Sequence, residues 1–373
     1  MADLSARVSL LATRIGNYLR DSILPRLVPA GGTNGQFLKK TADTDYTLGW
    51  GSVSASAGGS SGQVQYNSGN SLAGATNVTI DNNDLVLSNN DSPVVPSASG
   101  TKVFGRTIAS RLMLGMVGPK GDAYVPQPSL FSKNVAWWCP PGNATTVPAV
   151  IGFAAPTALG TATARTVATT NLMSRTRRLG YVSSTTAGSF AGHYSTTAQY
   201  TVGNGTGLGG FFYNCRFAFS DAAAVSVVRA FIGLSSTVAA PSNVEPNTLT
   251  NAVGLAQLST DTTQLYIVYG GSSAQAAIGL GTNFPPMPST GATGGAVYNL
   301  TLFSAGSENG IIYYRVERVG TSFFVEGTLA PSVVGTQTPA ATTLLAHRAW
   351  RCNNATALAV GIDIVSVYIE IDQ

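Results

Sequence analysis

The chain has 373 residues, a net charge of only +4 and a charged fraction of 10 %, against 44 % hydrophobic residues and 42 glycines. That length gives a prior of two or three domains with room for a large core. Low charge with a positive mean hydropathy argues against an ordinary cytosolic enzyme, and equally against a disordered chain, which needs low hydrophobicity and high net charge. A turn-rich, mainly β protein with extended contact between chains fits instead. Basic residues are spread thinly apart from Arg175-Thr176-Arg177-Arg178, so the stripe that marks nucleic-acid binding is missing. Cys139, Cys215 and Cys352 are far apart and odd in number, which gives neither a disulfide framework nor a zinc spacing. No apolar run reaches the ~20 residues of a membrane span. Arg14 interrupts the apolar N-terminal section and no small-residue cleavage site follows, so no secretory signal is expected.

Residues 3 to 24 carry the one strong helix pattern. Leu4, Val8, Leu11, Ile15 and Tyr18 recur at alternating steps of four and three, an a/d seam of the kind that packs helix on helix. Pro25 and Pro29 end it. One reading is an amphipathic helix covering its own core. The other, favoured because the Gly-rich stretch that follows offers no core to cover, is an oligomerising or docking helix leaning on a partner.

Residues 30 to 106 read as a shaft or linker with an internal echo. Gly31-Gly32-Thr33-Asn34-Gly35-Gln36 is matched by Gly58-Gly59-Ser60-Ser61-Gly62-Gln63. Each copy leads into short strand-like runs at 37–40, 46–50, 64–66, 78–80 and 85–87. Strands this short and this far apart cannot bury a core within one chain, and repeats of this kind gain burial by stacking on copies of themselves. The collagen-like triplet at Gly118-Pro119-Lys120 reads as a turn, since a triple helix needs many repeats.

From about residue 126 to the end, strand-like runs alternate with Gly, Pro, Asn and Ser turns, the pattern of an antiparallel β-sandwich or jelly roll. Expected strands include 147–153, 211–219, 225–234, 265–269, 296–303 and 360–371. Residues 311 to 329 form the clearest hairpin, with Ile312, Tyr314 and Val316 on a buried face and Tyr313, Arg315 and Glu317 on a wetter one. Both faces of 360–371 carry apolar groups, which suits a strand buried in a sandwich or at an oligomer interface.

Two catalytic motifs match on pattern and fail on context. Gly58-Gly59-Ser60-Ser61-Gly62 lies in a Gly/Ser stretch rather than between a strand and a helix. Gly205-Thr206-Gly207-Leu208-Gly209-Gly210 leads into a strand at Phe211, whereas a dinucleotide site needs a helix there. His193 and His347 have no Ser, Cys or acidic partner at a telling spacing, and read as surface or interface residues. Asp261, Glu308, Glu317, Glu326 and Asp363 could in principle supply paired carboxylates for glycan cleavage, but read better as solvated charges. No catalytic, cofactor or metal residue is assigned. Glycan recognition suits the composition better, with flat aromatic faces among amides and hydroxyls. Tyr266 and Tyr269 in one segment and Tyr194 and Tyr200 in another are the candidate contacts.

Three stretches carry a family resemblance. The echo followed by Lys39-Lys40 and Asp45-Tyr46-Thr47-Leu48-Gly49-Trp50 resembles linker segments of tailed-bacteriophage tail fibres and other virion structural proteins. Residues 137–148, beginning Trp137-Trp138-Cys139-Pro140, are similar to the entrance of the C-terminal domain in such proteins, as are 313–318 and 363–370. The resemblance implies a homotrimer with an N-terminal virion anchor (1–29), a shaft (30–106) and a C-terminal β-sandwich (107–373) that meets a host-surface glycan or protein. A tail fibre without catalysis or cofactor is the expectation, located in the virion after assembly in the bacterial cytoplasm, with no nucleic-acid partner and no membrane insertion. A head fibre or capsid decoration protein is the alternative. A glycan-cleaving tailspike is a weaker one, since it needs a long solenoid that the sequence lacks, and no depolymerase motif carries over.

Overall fold

The computed structural model describes residues 2–24, 29, 31–44, 47–52, 57–90, 96, 100–118, 123–124, 134–140, 151–152, 154–221, 225, 227–286 and 296–371. The chain divides into two compact units, Met1–Ser88 and Asn89–Gln373.

In the first unit, helix α1 (Ala2–Tyr18) continues as a π-helical turn over Leu19–Ile23. Strands β1 (Gln36–Lys40) and β2 (Leu48–Ser52) pair antiparallel, and β3 (Gln63–Ser68), β4 (Ser71–Asp81) and β5 (Asp84–Leu87) form a separate three-stranded sheet. Four of the five short runs read from sequence fall within these strands, and of 46–50 only residues 48–50 lie in β2; Pro25 and Tyr46 lie outside the described residues.

The echo is a repeated turn. In each copy the Gln amide closes a four-residue turn onto the Thr33 or Ser60 carbonyl, at 3.1 and 3.3 Å. The Gln side chain then folds back, so that Gln36 Oε1 accepts from Thr33 N at 2.9 Å and Gln63 Oε1 from Ser60 N at 2.8 Å. The glycine before each Gln has φ of +89° (Gly35) and +83° (Gly62), which no other residue adopts cheaply. These turns do not build a core. Gly51 is the only buried residue among those described in this unit, while Phe37, Tyr66, Leu72, Ile80 and Leu85 stand exposed.

The second unit opens with β6 (Lys102–Ile108), β7 (Arg111–Val117) and β8 (Ala123–Tyr124), a three-stranded sheet. The expected boundary at 106/107 therefore cuts a strand that pairs along its whole length with β7. The sandwich follows: β9 (Val135–Trp138), β10 (Thr157–Leu159), β11 (Thr161–Ala164), β12 (Leu179–Val182), β13 (Phe190–Tyr194), β14 (Phe211–Phe219), β15 (Arg229–Ser235), β16 (Ala252–Gln257), β17 (Tyr266–Gly270) and β18 (Ile278–Gly279). It is completed by β19 (Val297–Ser304), β20 (Ile312–Arg318), β21 (Phe324–Leu329), β22 (Ala346–Cys352) and β23 (Gly361–Ile371).

One sheet runs β10-β13-β22-β15-β16-β17-β18; the other runs β11-β12-β23-β14-β19-β20-β21, with β9 also pairing β23. Neighbours in both sheets are antiparallel. The last two strands are interior to the two sheets. Strand β23 is accordingly buried on both faces, as its double apolar pattern requires. Between the sheets lies a core that includes Trp138, Tyr213, Phe217, Ile232, Leu255, Leu300, Val316 and Ile364. Ile312, Tyr314 and Val316 point into it, as the alternation of the hairpin predicts. The expected strand at 147–153 falls almost wholly outside the described residues, and Ile151-Gly152 is a turn. After Gly205–Gly210 comes β14, so the dinucleotide motif fails in the structure as it does in the sequence.

Candidate functional site

The two outer faces of the sandwich differ. On the seven-stranded sheet, Phe231, Ala256, Val268 and Trp350 point outward yet are buried, with Leu249 and Tyr266 packed against them. Leu249 belongs to the connection between β15 and β16, whose one helical turn, Pro246–Thr248, puts Pro246 inside. Arg229 ties this connection down through Glu245 at 2.8 Å. The face is covered.

The outer face of the eight-stranded sheet is a floor of polar and aromatic side chains. Side chains alternate along a strand, so directly paired residues line up in rows across the sheet. One row crosses six strands as Trp137, Tyr368, Asn214, Thr301, Arg315 and Glu326. The next reads Ser366, Arg216, Asn299, Glu317 and Phe324. Their sequence neighbours Cys215, Leu300, Val316 and Val367 face the core.

Both sides of this floor are walled. The adjoining row of Glu370, Phe212, Phe303 and Tyr313 is covered by the β6–β7 hairpin, whose Ala109 and Met113 pack on the rings. Arg111 reaches from that hairpin, its guanidinium 5.0 Å from the Phe212 ring and 5.6 Å from that of Phe303, and forms an ion pair with the buried Glu370. On the opposite side, the buried Asp363 carboxylate accepts from Arg165 Nε at 3.1 Å and Arg178 Nε at 2.9 Å. The segment between those arginines extends to the β20–β21 turn, where a Cβ on Gly320 would lie 3.1 Å from Leu172 Cδ2.

The floor itself is unevenly satisfied. Arg315 pairs with Glu317 at 2.8 Å and Glu326 at 3.2 Å, with its guanidinium 4.1 Å over Phe324. Asn214 donates to Thr301 Oγ1 at 2.9 Å and Asn299 to Glu317 Oε2 at 3.3 Å. Asn299 Oδ1 is buried with no donor among the described residues. The half-buried Arg216 has neither a hydrogen-bond nor an ion-pair partner among them. Trp137 and Phe324, at opposite ends, are 43 % and 51 % exposed.

The four candidate tyrosines do not converge. Tyr266 and Tyr269, three apart in β17, fall on opposite faces: Tyr266 joins the covered outer cluster and Tyr269 packs on the inter-sheet core. Tyr266 donates to Asp261, which raises its hydroxyl pKa, while the Thr263 and Tyr266 hydroxyls hold Asp261 well below the usual carboxylate range. Tyr194 lies under Arg348, 5.7 Å from its guanidinium, and Tyr200 is 5 % exposed in the core. Among the other carboxylates, Glu308 accepts from Tyr313 at 2.8 Å, and Glu317 and Glu326 share Arg315. The seam residues Leu4, Val8, Leu11, Ile15 and Tyr18 are each more than half exposed.

The two histidines correct their sequence reading as surface or interface residues. Both are fully buried, one strand apart, with His193 Nε2 2.8 Å from His347 Nε2. Tyr181 Oη caps His193 Nδ1 at 3.0 Å and Tyr213 Oη caps His347 Nδ1 at 3.1 Å. This four-residue chain passes from the eight-stranded sheet to the seven-stranded one and back. The Nε2–Nε2 contact needs one proton and one lone pair, so the two rings cannot both be protonated at that nitrogen. Burial pushes His193 down to about 3 and His347 well below the usual imidazole value. Closed off in the core, the chain joins the sheets and meets no substrate.

No family model and no curated protein matches the chain. Solved structures with some likeness include arcelin-5, a lectin-like defense protein from Phaseolus vulgaris, at 9 % identity over 64 % of this chain and 98 % of that one, with a TM-score of 0.36. A carbohydrate esterase from the Shiga toxin-encoding bacteriophage phi24B is 18 % identical over 59 % and 90 %, with a TM-score of 0.33. The CBM2 module of the evolved Dit of Lactobacillus casei BL23 phage J-1 is 15 % identical over 64 % and 91 %, with a TM-score of 0.33. At these values the likenesses carry no functional argument; the β-sandwich rests on the sheets described above.

Proposed function

We propose that the chain is a bacteriophage virion structural protein, a homotrimeric tail fibre that attaches to the host surface through its β-sandwich without catalysis. The observation that carries this is the first unit. Its described residues form a helix and short sheets with almost nothing buried, and many of their apolar side chains are exposed. Such surfaces mark contact with other chains. Copies of the same chain supply matching seams and matching echo turns. Attachment to another virion protein through α1, and host contact through the walled floor of the eight-stranded sheet, complete the reading.

The first test is the mass in solution by light scattering. Three times the 38.3 kDa chain is the expected result, and a monomer would overturn the trimer. Leu11→Asp with Ile15→Asp puts two carboxylates per chain into the seam. This variant should lose trimer and virion incorporation while the melting transition of the sandwich stays in place. Spots of purified protein on host lawns should leave no haloes.

A further inference from the structure

Resting on that reading, we infer that the floor of the eight-stranded sheet binds an anionic oligosaccharide, whose carboxylate or phosphate is held by Arg216. A guanidinium carries five N–H donors, cannot shed its charge and matches a carboxylate or phosphate in shape. The other arginines that touch this face are engaged: Arg315 with two glutamates, Arg111 with Glu370, Arg165 and Arg178 with Asp363. Of the arginines on this face, only Arg216 has no acceptor among the described residues, although it is half-buried between Ser366 and Asn299 in its row. Its row neighbours fit the rest of a sugar. Ser366 offers a hydroxyl and Asn299 Oδ1 an unfilled acceptor, and both suit ring hydroxyls.

The ends of the floor set the size of the ligand. Trp137 and Phe324 lie on strands five spacings apart, roughly 24 Å at the usual strand separation. Exposed aromatic side chains at both ends, with polar groups and a cation that has no partner among the described residues between them, suit a chain of sugars lying across the strands. The two walls run along its length.

The test uses the full-length protein on an array of bacterial surface polysaccharides that includes carboxylated, phosphorylated and neutral members, alongside binding to host cells. Carboxylated members are also presented after chemical reduction of their carboxylates, which keeps the skeleton and removes the charge. The wild type should bind charged members. Arg216→Gln should weaken that binding at least tenfold with no change in melting temperature, as should carboxylate reduction. The arm retained, carboxylated or phosphorylated, identifies the source of the anion. Equal binding by wild type and Arg216→Gln, or binding only to neutral members, overturns the inference while leaving host attachment intact. Failure of the wild type to bind host cells at all removes the attachment reading itself.

Discussion

Lowering the pH from 7.5 to 5 is expected to cost the sandwich about 4 kcal/mol, because each of two buried neutral imidazoles forfeits about 1.4 kcal/mol per pH unit below its unfolded value near 6.5. The sign follows from the direction of the shifts. Burial lowers both histidines, His193 to about 3. In the unfolded chain they bind protons below about pH 6.5; in the native core they do not. Their contribution is therefore complete above that pH and is lost as pH falls toward the native values. Geometry reinforces it for the ring that accepts, since a second proton in the contact would set two N–H groups against each other across the 2.8 Å Nε2–Nε2 distance. The neighbouring Arg348 charge adds to the cost at His347. A loss of that size is a large part of the 5–15 kcal/mol that holds a typical domain together. Denaturation between pH 8 and 4.5 at constant ionic strength reads the effect directly. Replacing His193 and His347 by Gln should lower stability at pH 7.5 and flatten the curve between 6.5 and 5. A wild-type curve already flat in that window would refute the neutral pair.

The same two residues show what the sequence can and cannot disclose. Period-2 alternation reveals strands whose two faces differ in polarity, and so the β20–β21 hairpin is legible almost residue for residue; β14 and β23 are legible instead as long β-branched and aromatic runs bounded by turn residues. Strand β22 is not among the runs that alternation picks out. It contains His347, Arg348 and Arg351, which a reading by hydropathy places outside, yet all seven of its residues are buried. Their partners, His193, Asp221 and Gln257, are about 90 to 155 residues away in the chain. Nothing local announces a buried polar group whose satisfaction depends on the fold. The candidate site was half legible for a related reason. The wet face of Tyr313, Arg315 and Glu317 is evident from alternation. That Asn214, Arg216, Asn299, Ser366 and Trp137 share it is a matter of register between distant strands. Aromatic density pointed instead to Tyr266 and Tyr269, which spacing alone should have separated: residues three apart in a strand face opposite ways.

Asp221→Ala is expected to destabilise the sandwich by about 3–5 kcal/mol, the usual cost of leaving one member of a buried ion pair alone. Arg351 is fully enclosed, and its Nε lies 2.9 and 3.1 Å from the two Asp221 oxygens. Its Nη1 donates to Gln257 Oε1 at 2.6 Å, and its guanidinium lies 4.1 Å from the Phe219 ring. Since arginine cannot deprotonate to escape burial, the charge stays in the core when the carboxylate goes. The double variant Asp221→Ala with Arg351→Met should therefore be less destabilised than Asp221→Ala alone. It still loses the bond from Gly361 N to Asp221 Oδ1 at 2.8 Å and leaves Gln257 without its donor, so it should not recover fully. Asp221→Asn, which keeps the shape but not the charge, should fall between. Urea denaturation at pH 7.5 ranks the three variants, and a double variant worse than the single one would mean that the lone Arg351 gains more from Gln257 and Phe219 than its burial costs. Either ranking bears on the architecture. Asp221 follows β14 and holds the first residue of β23, while Arg351 lies in β22, so this one pair fixes interior strands of both sheets to each other. The sandwich closes only when the C-terminal strands arrive, and this contact marks where they lock.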